Sequence, residues 1–144
     1  MHLFFNMFTF YAFAFTLEQM MGSWQFGLLY FLGLVLSDLP TVFKHKDDFH
    51  YNSLGASGAI SAVLFSYILF NPMSKIYIMF IPIGIPAVIF GGLYLVYCMY
   101  ASKNSRDNIN HDAHFFGALT GLIFTVIFVP NIIQHFIAAL SGGR

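Results

Sequence analysis

Residues 54–70 read LGASGAISAVLFSYILF, a run without a single charge that opens on a Gly-Ala-Ser-Gly turn and stops at Asn71-Pro72. The run is continuously apolar rather than alternating, which favours a membrane helix over a barrel strand. Gly58, Ala59, Ser61 and Ala62 give it a small-residue face of the kind that lets helix backbones approach closely. From Ser57 to Phe70 such a helix covers only about 21 Å, against a bilayer hydrocarbon core of about 30 Å. If Pro72 marks one interface, Ser57 lies below the other, and a submerged hydroxyl requires a wet recess above it.

Outward from this run, four more apolar stretches are expected: His2 to Leu17, Trp24 to Leu39, Ile76 to Tyr100 and Ala113 to Leu140. The separators are Glu18-Gln19, Lys44 to Asp48, Asn71-Pro72 and Lys103 to Asp107. The fourth stretch is irregular, with Ile81-Pro82-Ile83-Gly84-Ile85-Pro86 followed by Gly91-Gly92. It reads as a kinked helix, static by preference and a mobile gate by the functional alternative. Composition agrees with a membrane protein. The 144 residues are 58% hydrophobic and 8% charged, with 19 Phe and 8 Tyr, and the mean hydropathy is +0.74. A soluble domain of this size needs more charge to cover its surface. The net charge of zero disfavours nucleic acid or an acidic polymer as partner. Cys98, the single cysteine, has no internal disulfide partner and reads as packing filler. No basic region precedes the hydrophobic run at His2, so no secretory signal peptide is expected. One all-α transmembrane bundle spanning residues 1–144 is the economical reading.

Polar residues inside such helices are functional hypotheses by default. His2, Asn6, Ser57 and His114 stand out. If every segment crosses, the first, third and fifth run in the same direction, and all four residues lie near one membrane face. His2 and Asn6 are four apart and share a helical face. Ala113, Gly117 and Gly121 form a second small-residue face. Packed on the serine helix, that face brings Ser57 and His114 within reach, the nucleophile–base pairing that acyl transfer requires. Singly, each residue has an ordinary explanation: an interface serine, a helix-start histidine, a solvated terminus. The joint placement favours catalysis. His111 and Asp112 read as loop residues, Asp112 being two residues from His114 and so pointing away from its ring. His45, His50 and His135 show no ligand-like spacing, and no metal site is expected.

Gly55-Ala56-Ser57-Gly58, Ala113-His114-x-x-Gly117-x-x-x-Gly121 and His2-x-x-x-Asn6-Met7 together resemble the rhomboid family of intramembrane serine proteases. Glu18 resembles a glutamate common at that point in the family. The resemblance covers nearly the whole chain and corresponds to the second through sixth of six core helices. About five helices are therefore expected, with an internal methionine or a fragment boundary at Met1. The resemblance implies an intramembrane serine endopeptidase with a Ser57–His114 dyad and no required aspartate. It also implies an oxyanion site from His2, Asn6 and the Ser57 backbone N–H. Its substrates would be transmembrane segments of membrane proteins, its location a multi-pass position in a bacterial inner membrane, and its cofactors none. The fourth segment matches the helix proposed as the lateral substrate gate. The aromatic residue that many relatives carry four positions after the serine is Ser61 here.

Two rivals come from other classes. A catalytically silent rhomboid-like protein would bind transmembrane helices without needing both Ser57 and His114. A small transporter or channel subunit would be expected to carry a charge deep in a segment. Lys44, Lys46, Lys103 and Arg106 lie on the active-site side, against Lys75 and Arg144 opposite. Charge alone points that side to the cytoplasm, whereas the resemblance implies that it opens outward.

Overall fold

A helix with no polar face is satisfied only at the centre of a bundle, and the 57–70 helix takes that place, with twelve of its 14 residues buried. The computed structural model describes residues 2–47, 55–78, 82–104 and 109–142. The elements are α1 (His2–Met21), α2 (Ser23–Lys44), α3 (Ser57–Phe70), β1 (Lys75–Tyr77), β2 (Gly84–Pro86), α4 (Ala87–Asn104), α5 (His111–Phe128) and α6 (Ile132–Leu140). Residues 48–54, 79–81 and 105–108 lie outside the described residues, as does the side chain of His2, so only part of the separators Lys44 to Asp48 and Lys103 to Asp107 is described. The fold class is all-α, a helical bundle with one two-stranded hairpin among the described residues.

Two cores flank α3. On one side Ala14 and Leu17 of α1, Leu29 of α2 and Phe124 of α5 close on Ala62 and Val63. On the other, Leu64, Phe65 and Ile68 meet Ile76 of β1, Ala87 of α4 and Ala118 of α5. The outer surface is apolar as well. Phe4, Phe8 and Tyr11 on α1 and Leu93, Val96 and Tyr100 on α4 are at least half exposed, far more apolar surface than water tolerates. By length and composition, α2 and α5 are each able to cross a bilayer.

The chain breaks where backbone chemistry forces it to. Glu18-Gln19 does not end the first segment; α1 continues to Met21, and Gly22, at φ 94°, makes a one-residue link into α2. That left-handed conformation is cheap only for glycine. It folds α2 back along α1 so that Phe10 meets Phe26 and Tyr30. The fourth segment is not a kinked helix at its start. Lys75–Tyr77 pairs antiparallel with Gly84–Pro86, and a continuous helix begins at Ala87. Pro86 has no N–H to give, so it sits at the helix entry rather than inside it. The first donors of α4 are taken by the turn after α3: Ala87 N–H bonds Ser74 O at 2.8 Å and Val88 N–H bonds Pro72 O at 2.9 Å. The fifth segment also divides. Val129 is extended before Pro130, Asn131 adopts φ 59°, and α6 starts at Ile132. A residue before proline avoids the helical region, and asparagine tolerates the left-handed one. His135 of α6 then reaches Phe70 O, 2.7 Å away at the end of α3.

Helices α1, α3 and α5 run in the same direction, as the count of crossings implies. Phe13 stacks obliquely on Tyr67 with centroids 4.9 Å apart, and Asn71 reaches Met20 one end further on. Between α3 and α5 the register advances four residues at a time, Gly117 against Gly58, Gly121 against Ala62, and Thr125 hydrogen-bonded to Ser66.

Candidate active site

Close approach of α3 and α5 begins with what the glycines lack. A Cβ on Gly117 would lie 2.1 Å from Gly58 O, and one on Gly121 would lie 2.2 Å from Ala62 O. A Cβ on Gly58 would fall 2.0 Å from Ser37 Oγ of α2 and 3.2 Å from Ala113 O of α5. Gly58 is therefore wedged between two helices, and its neighbour Ser57 stands at the level of the first turn of α5, which carries His114. Ser57 is 8% exposed. It opens α3, where the first backbone N–H groups have no intrahelical acceptor and the helix dipole presents its positive end.

Beside that turn lies a cavity of about 410 Å³ lined by Leu3, Asn6, Met7, Phe10, Tyr30, Gly55, Ala56 and Ile60. Asn6 of α1 thus shares a cavity wall with the two residues that precede Ser57. The predicted contribution of the His2 side chain lies outside the described residues.

The first turn of α5 is anchored from three sides. Asn110 caps it, its side chain accepting from Ala113 N–H at 2.9 Å and from Thr41 Oγ1 of α2 at 3.1 Å. Asp112 accepts from Ser102 Oγ of α4 and pairs with Lys44 of α2 at 3.0 Å. His111 and Asp112 are therefore helical rather than loop residues, and they diverge. Asp112 points outward to its partners, while His111 is buried against Tyr97, with centroids 5.4 Å apart, and edge-on to His114 at 6.1 Å. Sequence reasoning passed over His111, although its i, i+3 spacing from His114 puts both on one helix face.

An aromatic neighbour for His114 comes from an unexpected helix. Ser61, four residues after Ser57, supplies no ring. Instead Tyr94 of α4 stacks on His114, with centroids 6.2 Å apart and planes 19° from parallel. Its hydroxyl meets Ser61 Oγ at 3.3 Å. Offset stacking at this distance is a favourable aromatic arrangement. Ser61 thus serves as the polar stop that registers the tyrosine. The structure also gathers Cys98 of α4 with His111 and His114, their ligating atoms all within 4.8 Å of one another.

Ser57, His114 and Asn6 are thus drawn to one end of the bundle by three parallel helices. Comparison with curated proteins and with solved structures returned no significant match. The Rhomboid domain family model, however, matches residues 1–131, nearly the full length and all the helices that carry these residues. The chain belongs to the rhomboid family of integral membrane proteins.

Proposed function

We propose that the chain is an intramembrane serine endopeptidase that cuts transmembrane segments of other membrane proteins. The observation that supports this most strongly is the glycine-tight α3–α5 register, which sets the turns of Ser57 and His114 side by side. In this reading Ser57 Oγ attacks the scissile carbonyl while a ring nitrogen of His114 takes the hydroxyl proton. His114 then returns that proton to the leaving amine, and water repeats the sequence on the acyl-enzyme. Asn6, His2 and the Ser57 backbone N–H hold the developing oxyanion, one such donor being worth roughly 3 kcal/mol. The cavity at Gly55 and Ala56 supplies space for water or an extended substrate. The site opens away from the cytoplasm of a bacterial inner membrane. Retention of both Ser57 and His114, with an aromatic ring against the histidine, supports this over a silent helix-binding protein.

The test is labelling of the detergent-purified chain with a fluorophosphonate probe, beside its Ser57→Ala variant. Labelling of the parent that vanishes in Ser57→Ala is expected. A folded parent chain that takes no label would remove the protease reading.

Tyr94 acts as a positioning residue for His114. Tyr94→Leu is expected to lower the labelling rate by about tenfold, the upper end of what an aromatic pair contributes. Tyr94→Phe keeps the ring and should recover most of that loss. Equal rates in the two variants would show that stacking does not orient the base.

A further inference from the structure

A second kind of chemistry surrounds His114. Cys98 is fully buried on α4, His111 is buried in the first turn of α5, and His114 is half-buried in the same turn. The thiol and the two imidazoles offer three ligating atoms within 4.8 Å of one another. We propose that Cys98, His111 and His114 form a binding site for a thiophilic divalent cation of the zinc class, and that its occupation withdraws His114 from catalysis. The consequence for catalysis rests on the protease reading; the binding does not.

Donor chemistry sets the class of ion. One thiolate and two imidazoles suit zinc and similar borderline-soft ions, whereas magnesium and calcium require oxygen. Zinc–nitrogen bonds of about 2.0 Å and zinc–sulfur bonds of about 2.3 Å put tetrahedral ligands some 3.3–3.6 Å apart. Closing from 4.8 Å to that spacing takes at most about 1.2–1.5 Å. The spacing also suits the elements: His111 and His114 share a face of α5 by their i, i+3 separation, and α4 brings the thiol to that face.

Aromatic rings pack against both imidazoles and limit access of solvent to the site. Tyr97 packs on the His111 ring and Tyr94 on the His114 ring. Three protein ligands leave a fourth position for water, the pattern of an open zinc site. Binding releases the thiol proton and occupies a ring nitrogen of the histidine that would otherwise accept the proton of Ser57. His114 is the least buried of the three.

The full chain in detergent, washed with chelator, is titrated with Co²⁺ and then with Zn²⁺. A thiolate-to-cobalt charge-transfer band is expected, displaced by Zn²⁺ and unchanged in Ser57→Ala. Cys98→Ser and the apolar Cys98→Ala should both lose the band, and His111→Gln should weaken cobalt binding by about a hundredfold. Free Zn²⁺ at about ten times its Kd should cut fluorophosphonate labelling of Ser57 roughly tenfold, by occupancy alone. Whatever labelling the Cys98 variants retain should no longer respond to zinc. No band in the parent chain, or a band that survives loss of Cys98, overturns the site. A band without loss of labelling overturns the inhibitory role. A chain that binds cobalt through Cys98 but never labels at Ser57 keeps the metal site and sinks the protease reading instead.

Discussion

Gly117→Ala is expected to push α5 away from α3, to lower the stability of the fold and to abolish serine labelling. The added methyl would lie 2.1 Å from Gly58 O and 2.8 Å from Gly58 C. These are backbone atoms of a buried helix and cannot rotate aside, so the helices must separate. Over-packing of a tight core costs about 1–3 kcal/mol, and this contact belongs at the upper end because both partners are main chain. Separation would also loosen the Ser66–Thr125 hydrogen bond two turns along. Gly92→Ala is the control. It lies in α4 with nothing within 4 Å of the added methyl, and should stabilise by up to about 1 kcal/mol by removing a helical glycine. Thermal midpoints of the two variants in the same detergent decide the matter. If Gly117→Ala proves as stable as Gly92→Ala, the close backbone contact between α3 and α5 is wrong.

His114→Ala should leave the bundle folded, because the residue is half-buried and only its ring is lost. Its effect on proteolysis should nonetheless reach at least about 10⁴-fold, since a serine hydroxyl without its base is a weak nucleophile. Groups that act as one unit are strongly non-additive. The double variant Ser57→Ala/His114→Ala should therefore be no slower than the worse of the two single variants. Single-turnover cleavage of a transmembrane substrate in vesicles measures all three. Losses that multiply would mean two independent contributions and no dyad.

The sequence was most legible where periodicity and small residues spoke directly. The face Ala113, Gly117, Gly121 and its counterpart on the serine helix predicted an intimate α3–α5 contact, and the glycines do meet Gly58 and Ala62. The central position of α3, with twelve of its 14 residues buried, emerged only in the structure. Boundaries were less legible. Glu18-Gln19 is a polar pair that a helix end carries without breaking, whereas the break itself needed only Gly22 and its positive φ. Around Pro82 and Pro86, apolar composition could not separate a kinked helix from a short hairpin, because the choice depends on carbonyls of residues 72 and 74 waiting for the first donors of α4. Pro130-Asn131 was legible as a breaker and was overlooked inside a long apolar run.

By itself the sequence determined a helical membrane bundle, the common direction of α1, α3 and α5, and the family. These depend on hydrophobic pattern, parity and local motifs, all of which are properties of the chain read in order. Tertiary structure alone decided what surrounds His114. Tyr94 replaces the ring absent at Ser61, and Cys98 joins His111 and His114, because α4 leans its tyrosine and thiol toward α5. No spacing along the chain encodes that approach. It is set by where the turn after α3 pins the start of α4 and where Asp112 holds Ser102 at its end.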